Sequence, residues 1–137
     1  MKRKALVDKK MRILIAEDSE ADKELFLRVL RPFVESQGLR VDCASDGDDA
    51  LTAIKNEHYD VVFLDESMPG PNGLEIAAYI KKNQRAEKVV ILTGYSDLDE
   101  KFSKSLGADE FVKKPIDPQV LGAILEKYVS RPTFYGE

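Results

Sequence analysis

Carboxylate side chains stand directly after two strongly apolar segments of the chain. Glu17 and Asp18 follow residues 13–16, and Asp65 follows residues 61–64. If these segments are parallel strands of one sheet, their carboxyl ends meet at one edge and the three carboxylates converge there. Such a cluster needs a cation or shifted pKa values. A hard divalent ion such as Mg²⁺ suits it because Mg²⁺ takes oxygen ligands, and the lack of nearby His or Cys argues against zinc.

A hydroxyl and an ammonium group follow two further apolar segments. Thr93 comes after residues 89–92, and Lys114 comes shortly after residues 111–112. Together with a magnesium ion they would equip the rim to hold a phosphoryl group, whose charge needs neutralising. An Asp carboxylate can itself be the nucleophile and form an aspartyl phosphate. Taken singly, Asp65 also fits a surface loop residue and Lys114 a solvated lysine, so the prediction depends on their sharing one rim.

The elements that must position these groups alternate in type. The short apolar runs are continuously apolar, which is typical of parallel strands covered on both faces. Strict alternation with amphipathic stretches predicts right-handed βαβ units, one parallel sheet and helices on both faces. The apolar runs lie at 13–15, 39–41, 61–64, 89–92 and 111–112, and the amphipathic stretches lie at 25–34, 50–54, 74–80, 98–106 and 120–128.

Capping residues predict where several helices begin. Asp117 precedes a proline and fits an N-cap, and Asp46 and Asn72 are N-cap candidates as well. Pro32 falls inside the first amphipathic stretch and is expected to kink that helix or end it near Arg31.

Length and composition exclude several classes of protein. A chain of 137 residues with 43% apolar residues suits one folded domain. No apolar run approaches the roughly 20 residues that cross a bilayer, and no signal peptide is visible. The single cysteine, Cys43, cannot form an internal disulfide and is predicted to be a small buried hydrophobe. Residues 1–10 carry a net +4 and the remainder −8, so the acidic body argues against a nucleic-acid-binding domain.

Beyond these derivations, the chain resembles the receiver domain of bacterial-type two-component response regulators. The resemblance covers residues 12–129 and implies a flavodoxin-like, doubly wound α/β fold with five helices and a five-stranded parallel sheet in the order 2-1-3-4-5. It divides the chain into a basic arm (1–11), a receiver domain (12–130) and a tail (131–137). The matching stretches are Ile13-Leu14-Ile15-Ala16-Glu17-Asp18, Asp46-Gly47-Asp48-Asp49-Ala50-Leu51, Val61-Val62-Phe63-Leu64-Asp65, Met68-Pro69-Gly70-Pro71-Asn72-Gly73-Leu74-Glu75, Ile91-Leu92-Thr93-Gly94, and Gly107-Ala108-Asp109 through Lys114-Pro115.

The resemblance implies a role for each acidic residue at the rim. Asp65 matches the residue that accepts the phosphoryl group. Glu17 and Asp18 match the acidic pair that helps hold Mg²⁺, with Asp18 as the direct ligand and Mn²⁺ as a second candidate ion. The backbone carbonyl of Ser67 matches the group that completes the metal site, and its side chain matches the one that faces the attacking water.

Five further positions match the phosphoryl-binding and switching part of such domains. Thr93 matches the hydroxyl that turns in to bond the phosphoryl group, and Lys114 matches the lysine that pairs with it. Gly94 matches a position that must be small so that phosphodonors can enter. The bond before Pro115 is typically cis in the family. Phe111 matches the aromatic switch, although it lacks the hydroxyl of a tyrosine and is also open to a plain core role.

The implied function is that of a phosphorylation-activated signalling switch, not an enzyme acting on external substrates. A histidine kinase or histidine phosphotransfer protein would supply the phosphoryl group. Output would pass to a protein target through the face formed by the fourth predicted helix, the fifth strand and the fifth predicted helix. We expect a cytoplasmic monomer or weak homodimer without nucleic-acid or membrane contact. The length leaves no room for an effector domain, so output would be by protein contact unless the chain was cut from a longer regulator.

Two other classes of function stay open at this stage. One is an interaction module that keeps the fold but does not depend on phosphorylation. The other is a small Mg²⁺-dependent phosphohydrolase acting through Asp65. The second alternative is weakened because Ser67 stands where such a phosphatase would want its second carboxylate.

Overall fold

Five parallel strands form a single sheet in the order β2-β1-β3-β4-β5. A computed structural model of the chain describes residues 10–94 and 107–129. The strands are β1 (Arg12–Ala16), β2 (Arg40–Ala44), β3 (Tyr59–Asp65), β4 (Ala86–Thr93) and β5 (Glu110–Lys113). The predicted fold class and strand order are confirmed.

Four helices within the described residues cover the two faces of the sheet. They are α1 (Glu20–Gln37), α2 (Gly47–Asn56), α3 (Gly73–Asn83) and α4 (Pro118–Tyr128), which is the fifth helix of the sequence prediction. The fourth predicted helix, around Leu98, Phe102 and Leu106, lies outside the described residues. So do most of the basic arm and the C-terminal tail, and the domain boundaries stay a prediction.

The core is divided by the sheet into two apolar layers. Alternate residues of β1 point to opposite layers: Ile13 and Ile15 pack with α1 and α4, whereas Leu14 and Ala16 pack with α2 and α3. β3 alternates in the same way, which explains why its sequence is continuously apolar. Burial on both faces holds the strands in register, so their carboxyl ends finish at one edge.

The predicted helix starts are confirmed by side-chain caps. Asp46, Asn72 and Asp117 each accept a hydrogen bond from a backbone N–H in the first turn of the following helix. Asn72 forms a complete capping box with Glu75. The N-cap of α1 is Ser19, which accepts from the backbone N–H of Asp22.

Of the two effects predicted for Pro32, a kink or a helix end near Arg31, the helix end is wrong. α1 continues through Pro32 to Gln37 and stops at Gly38, whose φ of 69° is in the left-handed region. Proline removes one backbone donor, but Phe33 and Val34 beyond it pack against the apolar layer of α1 and α4. This burial keeps the helix going where local preference would stop it.

The expectation that Cys43 is buried is also wrong. Cys43 is exposed because β2 lies at the edge of the sheet, where its side chains are covered less completely than those of the central strand β3. Within the described part of the chain, no helix is both long and apolar enough to cross a membrane.

The start of α2 is packed tightly against the loop that follows β3. The backbone N–H of Gly47 donates to the Pro69 carbonyl at 2.8 Å, and a Cβ at Gly47 would lie only 2.0 Å from the Pro71 carbonyl oxygen. We expect Gly47→Ala to lower the free energy of unfolding by more than about 2 kcal/mol, since backbone must move to admit the methyl group.

Gly122, within α4, provides the matched control because a Cβ there meets no atom within 4 Å in the described part of the chain. Gly122→Ala should be neutral or stabilising by up to about 1 kcal/mol, as alanine favours helix. Urea denaturation followed by circular dichroism measures both variants. Equal stability of the two variants would contradict the packing argument.

Candidate functional site

The polar groups predicted from the sequence meet at the carboxyl edge of the sheet. Glu17 and Asp18 follow β1, Asp65 is the last residue of β3, and Thr93 is the last residue of β4. Lys114 follows β5, and its backbone N–H donates to the Thr93 carbonyl at 2.7 Å. The parallel register of the strands therefore brings residues from four separate segments to one rim.

Asp65 is buried at the centre of this rim, with only 3% of its surface exposed. Its Oδ1 accepts a hydrogen bond from the Ser67 backbone N–H at 3.1 Å, and its Oδ2 accepts one from Lys114 Nζ at 3.1 Å. The backbone of Asp65 is also confined, because a Cβ at Gly73 would come within 2.6 Å of the Asp65 carbonyl oxygen. The start of α3 thus presses closely against the segment that carries the carboxylate.

Lys114 is surrounded by carboxylates. Its Nζ lies 3.0 Å from Glu17 Oε1, 3.1 Å from Asp65 Oδ2 and 3.2 Å from Asp22 Oδ2. Burial by itself would lower the pKa of Lys114, but the bonds to Glu17 and Asp65 outweigh burial and raise the pKa. The ammonium is therefore firmly charged, and the peptide bond that follows it, to Pro115, is cis.

The three carboxylates of Glu17, Asp18 and Asp65 each offer an oxygen within 4.8 Å of the others. Glu17 is buried, with 1% of its surface exposed, whereas Asp18 is exposed. Glu17 Oε1 accepts no hydrogen bond from the described residues, although Lys114 Nζ lies close to it. A set of hard oxygen ligands that includes one buried oxygen with no contact beyond its ion pair to Lys114 fits a divalent cation such as Mg²⁺.

Electrostatic crowding moves the pKa values of these acids in opposite directions. Burial, reinforced by the neighbouring Asp65, raises the pKa of Glu17 to about 7. Burial and Asp65 also raise the pKa of Asp18. Burial alone would raise the pKa of Asp65, but bonds with Glu17, the Ser67 N–H and Lys114 hold it below its usual value. The surroundings of Asp65 therefore favour its ionised form, and Glu17 is the acid of the cluster that takes up a proton near neutral pH.

Thr93 is buried at the same rim, with 2% of its surface exposed. Its Oγ1 donates a hydrogen bond of 2.6 Å to Oε1 of Glu66, the residue directly after Asp65. Sequence reasoning missed this role of Glu66, and it also missed Asp22 as a partner of Lys114. In the sequence, Glu66 could have been noticed because it directly follows Asp65. Asp22 could have been noticed because it lies three residues after the Ser19 cap.

The remaining predicted positions line the outer part of the site. Ser67 and Gly94 are exposed, and a Cβ at Gly94 would meet no atom of the described residues within 4 Å. Phe111 is half-buried on β5, where it pairs in register with Ile91 and packs against the layer that contains α2 and α3. Phe111 is therefore neither a fully buried core residue nor a fully exposed surface residue.

Comparison with known proteins matches this arrangement to a family. The family model for the response regulator receiver domain matches residues 13–126, which is most of the chain. The chain belongs to this family. It is therefore a receiver domain of the two-component signalling type, which serves as a phosphoacceptor and not as a classical enzyme.

Several solved receiver domains share its fold. A CheY-like receiver domain protein from Methanospirillum hungatei JF-1 is 30% identical, with a TM-score of 0.73, and the match covers 88% of this chain and 95% of that one. TrrA from Thermotoga maritima, solved in complex with Mg(2+)-BeF, is 34% identical, with a TM-score of 0.72 and coverage of 86% and 98%. Thermotoga maritima DrrB is 27% identical with a TM-score of 0.74, and the match covers 88% of this chain but 53% of DrrB.

The raised pKa of Glu17 predicts an unusual pH dependence of stability when divalent cations are removed with EDTA. Between its ordinary pKa of 4.5 and about 7, the folded protein holds a proton on Glu17 that the unfolded chain has released. Stability should therefore fall as pH rises from 5 to 8, by roughly 2–3 kcal/mol, since each pH unit between 5 and about 7 costs about 1.4 kcal/mol. Glu17→Gln should abolish this fall, as measured by urea denaturation at both pH values.

Glu24 is an exposed carboxylate on α1 and supplies the control, since Glu24→Gln should keep the wild-type pH dependence. Added Mg²⁺ should stabilise the wild type more at pH 8 than at pH 5, because the cation binds the deprotonated carboxylates. An undiminished fall in stability for Glu17→Gln would show that another group is responsible.

Proposed function

We propose that this receiver domain is a phosphorylation-activated switch in which Asp65 accepts a phosphoryl group from a phosphohistidine. The donor would be a histidine kinase or a histidine phosphotransfer protein. The observation that carries the proposal is the setting of Asp65: a buried carboxylate at 3.1 Å from Lys114 Nζ and beside two further acids, with bonds to Glu17, the Ser67 N–H and Lys114 that hold its pKa below the usual value. An ionised carboxylate is the nucleophilic form.

The transfer balances as a simple displacement at phosphorus. A carboxylate oxygen of Asp65 forms a bond to phosphorus while the phosphorus–nitrogen bond of the phosphohistidine breaks. The electron pair of the broken bond stays on the imidazole nitrogen, which takes up a proton from solvent. Lys114 offsets the charge of the transferred group, and no atom of the described residues would obstruct a donor at the Cβ position of Gly94.

Glu17, Asp18 and Asp65, with the backbone carbonyl of Ser67, are the groups that would hold a divalent cation. When bound, Mg²⁺ would neutralise negative charge on the phosphoryl oxygens, and Mn²⁺ is a second ion to test. The TrrA structure, which contains Mg(2+)-BeF, supports the idea that a receiver of this kind holds the cation together with a phosphoryl mimic.

The acyl phosphate would change the balance of forces at the rim. Phosphorylation replaces one negative charge by about two and adds three acceptor oxygens. Thr93 and Lys114 would then bond to the phosphoryl group, and the half-buried Phe111 would move further inward. The resulting population shift would alter the face made by the fourth predicted helix, β5 and α4. A protein target would read this face in the cytoplasm, with the receiver acting as a monomer or weak homodimer.

The proposal predicts one phosphoryl adduct per chain after incubation with acetyl phosphate and Mg²⁺, as measured by intact-protein mass spectrometry. Asp65→Asn should abolish the adduct because the amide oxygen is a poor nucleophile. Asp18→Asn or EDTA should lower the yield at least tenfold by weakening cation binding. Asp48→Asn removes an exposed carboxylate of α2 and should leave the adduct unchanged.

Three results would contradict the proposal. An adduct of equal yield on Asp65→Asn would place the phosphoryl group elsewhere. No adduct on the wild type, together with partner binding that is insensitive to beryllofluoride, would favour a phosphorylation-independent interaction module. Multiple turnover on small phosphoesters would instead identify a phosphohydrolase.

A further inference from the structure

Glu66 is a carboxylate that the roles described above leave without a function, although it directly follows the phosphoacceptor. Its backbone is held on both sides: its N–H donates to the Leu92 carbonyl at 2.8 Å, and its carbonyl accepts from the Gly73 N–H at 3.2 Å. β4 and the start of α3 therefore fix the point from which the Glu66 side chain extends. The carboxylate reaches Thr93, at the end of β4.

The contact between Thr93 and Glu66 has the length of a strong hydrogen bond. The distance of 2.6 Å from Thr93 Oγ1 to Glu66 Oε1 is in the range of hydroxyl–carboxylate bonds, which are shorter than bonds between neutral groups. Thr93 is buried, so water competes poorly for the hydroxyl. A hydroxyl has one proton to donate. The bond to Glu66 and a bond to a phosphoryl oxygen therefore exclude each other.

We propose that Glu66 is a positioning residue that holds the Thr93 hydroxyl while Asp65 is an unmodified carboxylate, and so competes with the phosphoryl group for it. The inference rests on the proposed function, since it identifies the residue that competes with the phosphoryl group for the Thr93 hydroxyl in that same switch. Glu66 does not touch the phosphoryl group in this scheme. It acts through Thr93 and sets how strongly the switch favours its resting arrangement.

The surroundings of Glu66 suit a contact that can be released. Glu66 is only half-buried, so its carboxylate can be hydrated after Thr93 turns away, whereas a fully buried carboxylate would be left without a partner. A phosphoryl group on Asp65 would also place new negative charge beside Glu66, which opposes the contact further. Release of the Thr93 hydroxyl from Glu66 therefore becomes favourable when a phosphoryl group, whose oxygens are stronger acceptors, is attached to Asp65.

The first test is the affinity for beryllofluoride in the presence of saturating Mg²⁺, measured by isothermal titration calorimetry. Glu66→Ala removes the competing acceptor and should tighten binding by about tenfold, equivalent to about 1.4 kcal/mol. Glu66→Gln keeps an amide oxygen as acceptor and should show a smaller gain. Circular dichroism and urea denaturation establish that each variant is folded.

The same Glu66 substitution in a Thr93→Val variant separates competition for the Thr93 hydroxyl from simple charge repulsion. Thr93→Val removes the hydroxyl while keeping the buried shape, so Glu66→Ala should bring no more than a twofold gain in that background. If Glu66→Ala tightens binding equally with and without the hydroxyl, the effect is electrostatic and the competition is overturned.

A third measurement reads the contact without any phosphoryl mimic. The Cγ2 methyl shift of Thr93 reports its side-chain rotamer by NMR, and it should indicate one rotamer in the wild type and averaging in Glu66→Ala. Identical shifts in the two proteins would overturn the proposal. Wild type that fails to bind beryllofluoride would overturn both the proposed function and the competition, whereas wild type that binds it with the same affinity as Glu66→Ala would overturn the competition alone.

Discussion

The ammonium group of Lys114 is the one positive charge, among the described residues of the rim, on which the acidic cluster depends. Glu17 and Asp65 are buried, and carboxylates gathered in such a place repel one another and lose hydration. Lys114 contacts both acids as well as Asp22, so it compensates charge from two strands and a helix at once. The compensation is incomplete, because burial and the neighbouring Asp65 still raise the pKa of Glu17. A divalent cation would supply the positive charge that Lys114 alone does not. The cluster is therefore stabilised in part by Lys114 and is still able to bind a cation.

This arrangement exists only because the sheet is parallel and covered on both faces. The two apolar layers hold β1, β3, β4 and β5 in register, and that register sets the separation of the groups that follow them. Close backbone contacts then refine the positions. Gly73 lets the start of α3 approach the Asp65 carbonyl, and Lys114 is tied to Thr93 through a backbone hydrogen bond. The stability of the layers and the chemistry of the rim are therefore two results of one packing.

Sequence patterns predicted the parts of this structure that depend on local order along the chain. Continuous apolar runs located the strands, side-chain caps located three helix starts, and the position of Asp65 after its strand located the site. The failures share a different cause. α1 passes Pro32 because of packing that only the folded layer provides, and Cys43 is exposed because strand order puts β2 at an edge. The contacts of Glu66 and Asp22 join residues distant in sequence, so a local pattern could draw attention to these two residues but could not identify their partners.

The two groups that would bind a phosphoryl oxygen differ in what they must give up. Lys114 contacts Asp65 itself, so a phosphoryl group attached to that carboxylate arrives where the ammonium already lies, and little rearrangement is needed. Thr93 donates to Glu66, which the phosphoryl group does not modify, so its hydroxyl must break one bond before it makes another. An equilibrium shifts only by the difference in free energy between its two states. The contact of Thr93 with Glu66, which must be exchanged, therefore sets the free energy that the phosphoryl group has to supply. The contact of Lys114, which persists, does not. Under the competition proposed above, Glu66 would therefore influence the switching equilibrium without contacting the phosphoryl group.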